Sequence, residues 1–300
     1  MANYAPIIVF AYNRVDKLEN LLKSLESNDN TQKMDMFIFV DIPDKKDLKN
    51  KKYNNDVQEF VFSYKENNNS FKNIEVFVAD VHKGLAESII YGVTKVINQY
   101  KKAIVLEDDL VVSNDFLDYM QRGLKYYENN KKIWSIAAYT PRLKVMDYYK
   151  KDIYIAPRIE SLGWGTWVDR WNRTDWNVNT YQRFQRDFVG HLIFNLGGND
   201  LCKMLKKQMT EKNYDSWAIR WCYQQFLERK YTVFPKENRV IHCGNDNRST
   251  HGVYIGNQSI KEKYNKCKFE NVKVNWPIVL AYRKENSTPL LDNIKMNLFK

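Results

Sequence analysis

The sequence has little of what stabilises small secreted folds. Its four cysteines, Cys202, Cys222, Cys243 and Cys267, show neither the short spacing of a Cys-x-x-Cys metal clip nor the density of a disulfide framework. They are read as reduced thiols of a cytoplasmic protein. No apolar run approaches the roughly 20 residues needed to span a bilayer. Met1-Ala2-Asn3-Tyr4 leads straight into a strand-like segment, with no basic region and no long apolar stretch, so no secretory leader is expected. Glycine is scarce, at 11 residues. No Gly-x-Gly-x-x-Gly follows the first strand and no Walker loop occurs, which excludes the dinucleotide fingerprint and the P-loop. Zinc-finger, helix-turn-helix and RNA-binding aromatic signatures are missing too.

What is present points to a folded chain with anionic partners. Hydrophobic residues make up 44%, too many for wholesale disorder, and 300 residues suffice for one large α/β domain or two sharing a cleft. Eight Trp and twenty Tyr suit a site that stacks on flat or sugar-like ligands. The 47 Lys and Arg outnumber 36 Asp and Glu, for a net charge of +11. That excess favours nucleotide phosphates, nucleic acid or an acidic membrane face. Because the lysines are spread through polar loops, nucleic acid is not the expected partner.

The first half alternates strands and helices. Ile7 to Ala11 is a continuous apolar run, as in a strand buried on both faces. Leu18, Leu21, Leu22 and Leu25 then recur at helical spacing. Strands are expected at Phe37–Val40, Glu75–Ala79, Ala103–Leu106 and Ile133–Ala138. The intervening helices carry Val57, Phe60, Val61 and Tyr64; Ala86, Ile89, Ile90, Val93 and Ile97; and the segment from Asp115 to Tyr127. Such alternation implies a mostly parallel sheet flanked by helices. Residues 1–140 form this nucleotide-binding half, and 141–260 a mixed half with helical signals at Leu201–Met209 and Trp217–Leu227. Residues 261–300 read as a basic, peripheral C-terminal tail that packs on the body or on a surface.

The most informative feature is Glu107-Asp108-Asp109, three acids ending the apolar run from Ala103 to Leu106. Two unit charges about 4 Å apart repel by roughly 4 kcal/mol at an effective dielectric near 20. At the carboxyl end of a strand in an α/β sheet, where ligands bind, a divalent metal answers that repulsion. Helix capping does not require these acids, since Ser113 and Asn114 are better placed for it. Side chains alternate along an extended segment, so Glu107 and Asp109 are expected to face a cleft together, with Asp108 opposed.

A set of short motifs accompanies the cluster: Ala11-Tyr12-Asn13-Arg14, Asp41, His82-Lys83-Gly84-Leu85-Ala86, Asp115-Phe116, Leu162-Gly163-Trp164, Tyr214-Asp215-Ser216-Trp217 and Thr250-His251-Gly252. In this order, over roughly residues 5 to 255, they resemble the inverting N-acetylglucosaminyltransferase I family and its bacterial relatives. The resemblance implies a GT-A (Rossmann-like) fold and metal-dependent inverting transfer from a UDP-sugar to a glycan hydroxyl. It further implies Mn²⁺ or Mg²⁺ on Asp109, ribose on Asp108 and donor-sugar hydroxyls on Glu107. Arg14, Asp41 and His82 would contact the base and nucleotide, and Arg248 and His251 the diphosphate. Asp215 would be the catalytic base, with Glu160 in reserve, and Trp164 with Trp217 a wall stacking on sugar.

Each residue also has a plainer reading: Arg14 as a surface ion-pair partner, His82 as a helix-start residue, Asp215 as an N-cap, the tryptophans as core. Ser216 departs from the family pattern, where close relatives of the mammalian enzyme carry a second acid. A nucleotidyltransferase also joins an α/β sheet to acidic metal ligands, but Tyr12-Asn13-Arg14-Val15-Asp16 is not the Gly-rich phosphate loop it needs. The expected setting is bacterial surface polysaccharide or glycolipid synthesis, with a glycan or lipid-linked acceptor. A cytoplasmic enzyme in peripheral contact with the anionic inner membrane face fits the basic charge.

Overall fold

The computed structural model describes residues 4–244, 259–261 and 263–287. The first half builds as the apolar runs dictate. Strand β1 (Ile7–Ala11) leads to helix α1 (Val15–Glu26), β2 (Asp35–Val40) to α2 (Leu48–Asn67), and β3 (Asn73–Val78) to α3 (Gly84–Tyr100). Next come β4 (Lys102–Glu107), the short β5 (Leu110–Val112), α4 (Phe116–Tyr127) and β6 (Ile133–Ala137). All five residues of β1 are buried, and the α1 leucines at 18, 21, 22 and 25 lie in the core, as their spacing predicts. The N-cap position of α4 falls on Asp115, whose carboxylate is held by Ser113 and Arg239; neither Ser113 nor Asn114 takes that position.

The second half contains β7 (Ile153–Ala156), β8 (Trp164–Trp167) and the short helices α5 (Val168–Trp171), α6 (Tyr181–Phe184) and α7 (Phe188–Phe194). Helices α8 (Leu201–Thr210) and α9 (Trp217–Leu227) follow, then β9 (Tyr231–Pro235), β10 (Val240–His242) and α10 (Trp276–Glu285). Eight strands form one sheet in the order β3-β2-β1-β4-β8-β6-β9-β7. Strands β1 to β4 pair in parallel, and β6 and β9 run the same way; β8 and β7 run against them. The sheet is therefore the expected mostly parallel one, with its antiparallel strands confined to the second half. A separate two-stranded ladder pairs β5 with β10.

Aromatic residues are spent on the interior. Trp134, Trp164, Trp171, Trp217 and Trp221 are all buried and pack ring to ring, with centroids 4.5 Å apart for Trp164 and Trp221 and 5.1 Å for Trp164 and Trp217. This cluster fastens α9 to the sheet through β8. The C-terminal segment is more than a peripheral tail. Cys267 is buried, the Phe269 ring packs against Tyr119 and Tyr127 of α4, and Tyr282 of α10 packs on Tyr154 and Phe234. The four cysteines are free thiols, and among the described residues no helix is long and apolar enough to cross a membrane.

Candidate active site

The candidate site lies at the carboxyl edge of the sheet, where β1, β2 and β4 end. Arg14, at the turn between β1 and α1, reaches across to the acid cluster. Its Nη2 donates to Asp108 Oδ1 at 2.7 Å and to Asp109 Oδ2 at 2.9 Å. The main-chain N–H of Tyr12 donates to Asp108 Oδ2 at 3.2 Å. Strand β4 stops at Glu107, and the next two residues form a turn, so strand alternation does not extend through the cluster. The pair that converges is therefore Asp108 with Asp109, through Arg14, in place of the expected Glu107 with Asp109.

A second approach comes from the far end of the chain. In the β5–β10 ladder, His242 stands opposite Leu110, next to Asp109. The pairing brings His242 Nε2 to 3.2 Å from Asp109 Oδ2, and the Cys243 N–H donates to the Asp109 carbonyl at 2.7 Å. The chain then passes so closely over both side chains that any Cβ there would force one of them, or the chain, to shift. A Cβ on Gly244 would lie 2.4 Å from Asp109 Oδ2 and 2.6 Å from His242 Nε2. Sequence reasoning missed His242 and Gly244; their only local signal is a short apolar run, Val240-Ile241, ending in His and Gly.

The electrostatics divide the three acids. Burial, reinforced by the charges of Asp109 and Asp108, pushes Glu107 up to about 8. Burial lifts Asp108 to about 6, against the pull of Arg14. Burial acts on Asp109 in the same direction, but the His242 hydrogen bond and the Arg14 charge together hold its carboxyl below the usual range. Among the described residues the site thus carries more acid than its one guanidinium neutralises, and a further cation would relieve the excess. Arg14 Nη1 is buried with no hydrogen-bond partner among the described residues, a donor suited to an anionic oxygen. A carboxylate suits Mn²⁺ or Mg²⁺, and an imidazole beside it fits Mn²⁺ better than the harder Mg²⁺, with oxygen ligands completing the shell. Among the described residues no group of three or more His, Cys, Asp or Glu is arranged to hold a metal ion. Asp109 and His242 would hold it as a pair, with a bound ligand supplying the rest.

Asp41 ends β2 and is buried. Its two oxygens accept from the main-chain N–H groups of Lys83 at 3.0 Å and Gly84 at 2.8 Å, at the start of α3. His82 Nδ1 lies 3.1 Å from Asp41 and 2.6 Å from the Ile42 carbonyl. Of the three residues expected at the base and nucleotide, Asp41 and His82 are neighbours while Arg14 is held by Asp108 and Asp109, and Asp41 also caps a helix. Behind them sits Asn54, which sequence reasoning also missed. Its Nδ2 donates to the carbonyls of Tyr12 at 2.6 Å and Asp41 at 2.7 Å, tying the ends of β1 and β2 together. The available signal was a polar residue on the same helical face as Val57 and Val61.

On the other side of the edge, Gly163 takes φ +67, a left-handed conformation that favours glycine. It turns the Arg158–Leu162 loop toward β8. Glu160 in this loop accepts from the N–H groups of Ser161 at 2.9 Å and Leu162 at 3.2 Å, and burial raises it to about 7. Asp215 is 58% exposed on its side chain and pairs with Arg220 at 2.7 Å. Ser216, accepting from the Ile219 N–H, is the N-cap of α9, which leaves Asp215 outside the helix. The structure corrects the sugar-stacking wall: Trp164 is 1% exposed and Trp217 is buried beside it, so neither ring face is open to a ligand. Arg248 and His251 lie outside the described residues.

The GNT-I family model matches residues 1–187, more than half of the chain and all of β1 to β8. The chain belongs to the GNT-I family. No curated protein sequence matches it significantly. Among solved structures, it is similar to S. aureus TarS 1-349 in complex with UDP-GlcNAc, at 10% identity and TM-score 0.48 over 84% of this chain and 62% of that one. It is also similar to the mannosyltransferase PcManGT from Pyrobaculum calidifontis in complex with GDP-Man and Mn²⁺, at 10% identity and TM-score 0.39 over 57% and 47%. The glycosyltransferase GlyE of Streptococcus pneumoniae TIGR4 matches at 12% identity and TM-score 0.39 over 77% and 45%. The chain spans 62% of the TarS chain, and likenesses of this size add nothing to the family assignment.

Proposed function

We propose that this GNT-I family member transfers a sugar from a UDP-sugar to a glycan hydroxyl with inversion at the anomeric carbon. The observation that carries the reading is the convergence of Arg14, Asp108, Asp109 and His242 at the carboxyl edge of the sheet. Asp109, with His242 beside it, would hold Mn²⁺ or Mg²⁺. When bound, the cation supplies neutralisation of the charge on the departing diphosphate. Arg14 Nη1 donates to an anionic oxygen of the donor. Asp108 takes the ribose hydroxyls. Glu107, largely protonated near neutrality, both donates to and accepts from the sugar hydroxyls. Asp41 and His82 face the base.

Inverting transfer needs one carboxylate to take the acceptor proton during in-line attack. Asp215 fills that role in this reading, with Arg220 releasing it as the acceptor binds. A specific observation favours a second candidate: Glu160, raised to about 7, has the poise of a general base near neutral pH. Arg248 and His251 complete the diphosphate contacts. The acceptor is a glycan or lipid-linked sugar at an anionic membrane face, in bacterial surface polysaccharide or glycolipid synthesis.

A panel of nucleotide sugars, read by nucleoside diphosphate release with and without Mn²⁺, tests the donor class. UDP-sugars should turn over only with metal; a metal-independent rate, or preference for a guanine nucleotide, contradicts the proposal. Asp215→Asn and Glu160→Gln separate the two bases, because the true base loses kcat with donor KM retained.

A further inference from the structure

A cavity of about 800 Å³ lies away from the acid cluster. It is a groove between α6, α7, the end of α9 and α10, lined by Phe184, Ile193, Phe226 and Trp276 among others. The helix beside it is polarised the wrong way for a solvated surface. Gly190 and Phe194 anchor α7 to the body, while Phe188, Val189 and Leu192 turn outward at 74%, 61% and 54% exposure. A surface helix ordinarily puts charged or polar residues there. On α10, Trp276 and Leu280 are also exposed and stand four residues apart, on one face. Together they form a continuous apolar surface of the kind that marks an interaction site.

The charge around this surface selects the partner. Arg183 and Arg229 line the groove, and Arg186 stands between α6 and α7. All three are exposed, and among the described residues no ion pair involves them. The nearest acids are engaged: Asp187 accepts from the Gly190 N–H, and Glu228 pairs with Arg173 and Lys230. A second copy of the chain would have to bring free acids to these arginines, and the acids beside the groove are already engaged. An anionic surface is what complements them.

We propose that α7, the groove and the outer face of α10 dock on a bilayer that contains anionic phospholipid. The α7 side chains enter the interface and the three arginines meet lipid phosphates. The groove includes Tyr231, the first residue of β9, whereas the acid cluster ends β4, which runs the same way. Docking therefore turns the catalytic edge away from the bilayer by about one strand length, some 17 Å for five residues. That spacing suits an acceptor whose growing end projects from its lipid. The inference names the surface behind the membrane-facing acceptor reading and rests on it.

Sedimentation of the full chain with vesicles tests the surface. Vesicles of phosphatidylcholine alone are compared with vesicles that also contain phosphatidylglycerol. The wild-type protein should sediment only with the mixed vesicles and be released by salt. Val189→Ser with Leu192→Ser, or Arg183→Ser with Arg186→Ser and Arg229→Ser, should lower binding at least about tenfold. Lys52→Ser with Lys65→Ser, on exposed positions of α2, should leave it unchanged. Thermal midpoints and vesicle-free UDP release, read on the same variants, separate failure of this surface from failure of the catalytic reading. No binding, equal binding by all variants, or a wild-type dimer that Leu192→Ser dissociates would overturn the proposal.

Discussion

His242 Nε2 lies 3.2 Å from Asp109 Oδ2, although 133 positions separate the two residues. The contact exists because β10 pairs with β5 in a register that sets His242 opposite Leu110. It makes the half of the site proposed to hold the metal a product of tertiary structure. His242→Ala should therefore raise the Mn²⁺ concentration for half-maximal activity by roughly ten- to a hundredfold, as losses of metal-site residues typically do. Metal titration of UDP release checks this. An unchanged titration would mean that Asp109 holds the cation without His242.

Gly244→Ala tests the same crossing from the backbone side. Its Cβ would lie 2.4 Å from Asp109 Oδ2, so the carboxylate or the chain must move. Activity should fall by more than about tenfold, given how steeply rate depends on sub-ångström placement, while the thermal midpoint changes little. Kinetics alongside a melting curve read the two effects separately.

Asn54 holds the ends of β1 and β2 through its bonds to the Tyr12 and Asp41 carbonyls. Replacing it by Leu leaves the buried Asp41 carbonyl and the half-buried Tyr12 carbonyl without that donor, at a cost of about 1–3 kcal/mol for the buried one, the usual penalty for an unsatisfied buried group. Urea denaturation should show the loss. The donor KM should rise more than the acceptor KM, since Tyr12 and Asp41 flank the nucleotide side.

Much of the first half was legible because each element carries its own signal. The buried run Ile7–Ala11 and the leucine stripe of α1 report strand and helix without reference to the rest of the chain. The acid cluster was found for the same reason, but its geometry was misread. The alternation expected of Glu107 and Asp109 holds only within a strand, and β4 ends at Glu107. Trp164 was misread as part of a wall stacking on sugar. Gly165 lets β8 approach β4, where a Cβ would sit 3.0 Å from the Ala103 carbonyl oxygen. His242 was missed because no local pattern marks a residue delivered by a three-residue ladder from far along the chain.

The misreading of Trp164 has its own consequence. As part of the tryptophan core, Trp164→Ala should lose about 3–5 kcal/mol of stability, the range for large aromatic truncations. In whatever fraction stays folded, sugar KM should be near the wild-type value. A selective rise in KM without loss of stability would put Trp164 back at the ligand.

Glu160 gives the stability a pH dependence. Burial raises its pKa from 4.5 to about 7, so the folded chain binds this proton more tightly than the unfolded chain. The contribution is fully present below about 4.5 and is lost as pH rises through about 7. Its size is on the order of 3–4 kcal/mol, since one pKa unit corresponds to about 1.4 kcal/mol. Glu160→Gln should flatten this part of the stability profile, as read by urea midpoints between pH 4 and pH 8.

The central claim is that Asp109 anchors a metal-bound nucleotide sugar at the carboxyl edge of the sheet. Calorimetric titration of UDP into the wild-type chain and into Asp109→Asn, each with and without Mn²⁺, tests it most directly. The account predicts binding to the wild-type chain that strengthens at least about tenfold with Mn²⁺, and no such gain in Asp109→Asn. An equal gain in both proteins, or none in either, would contradict it.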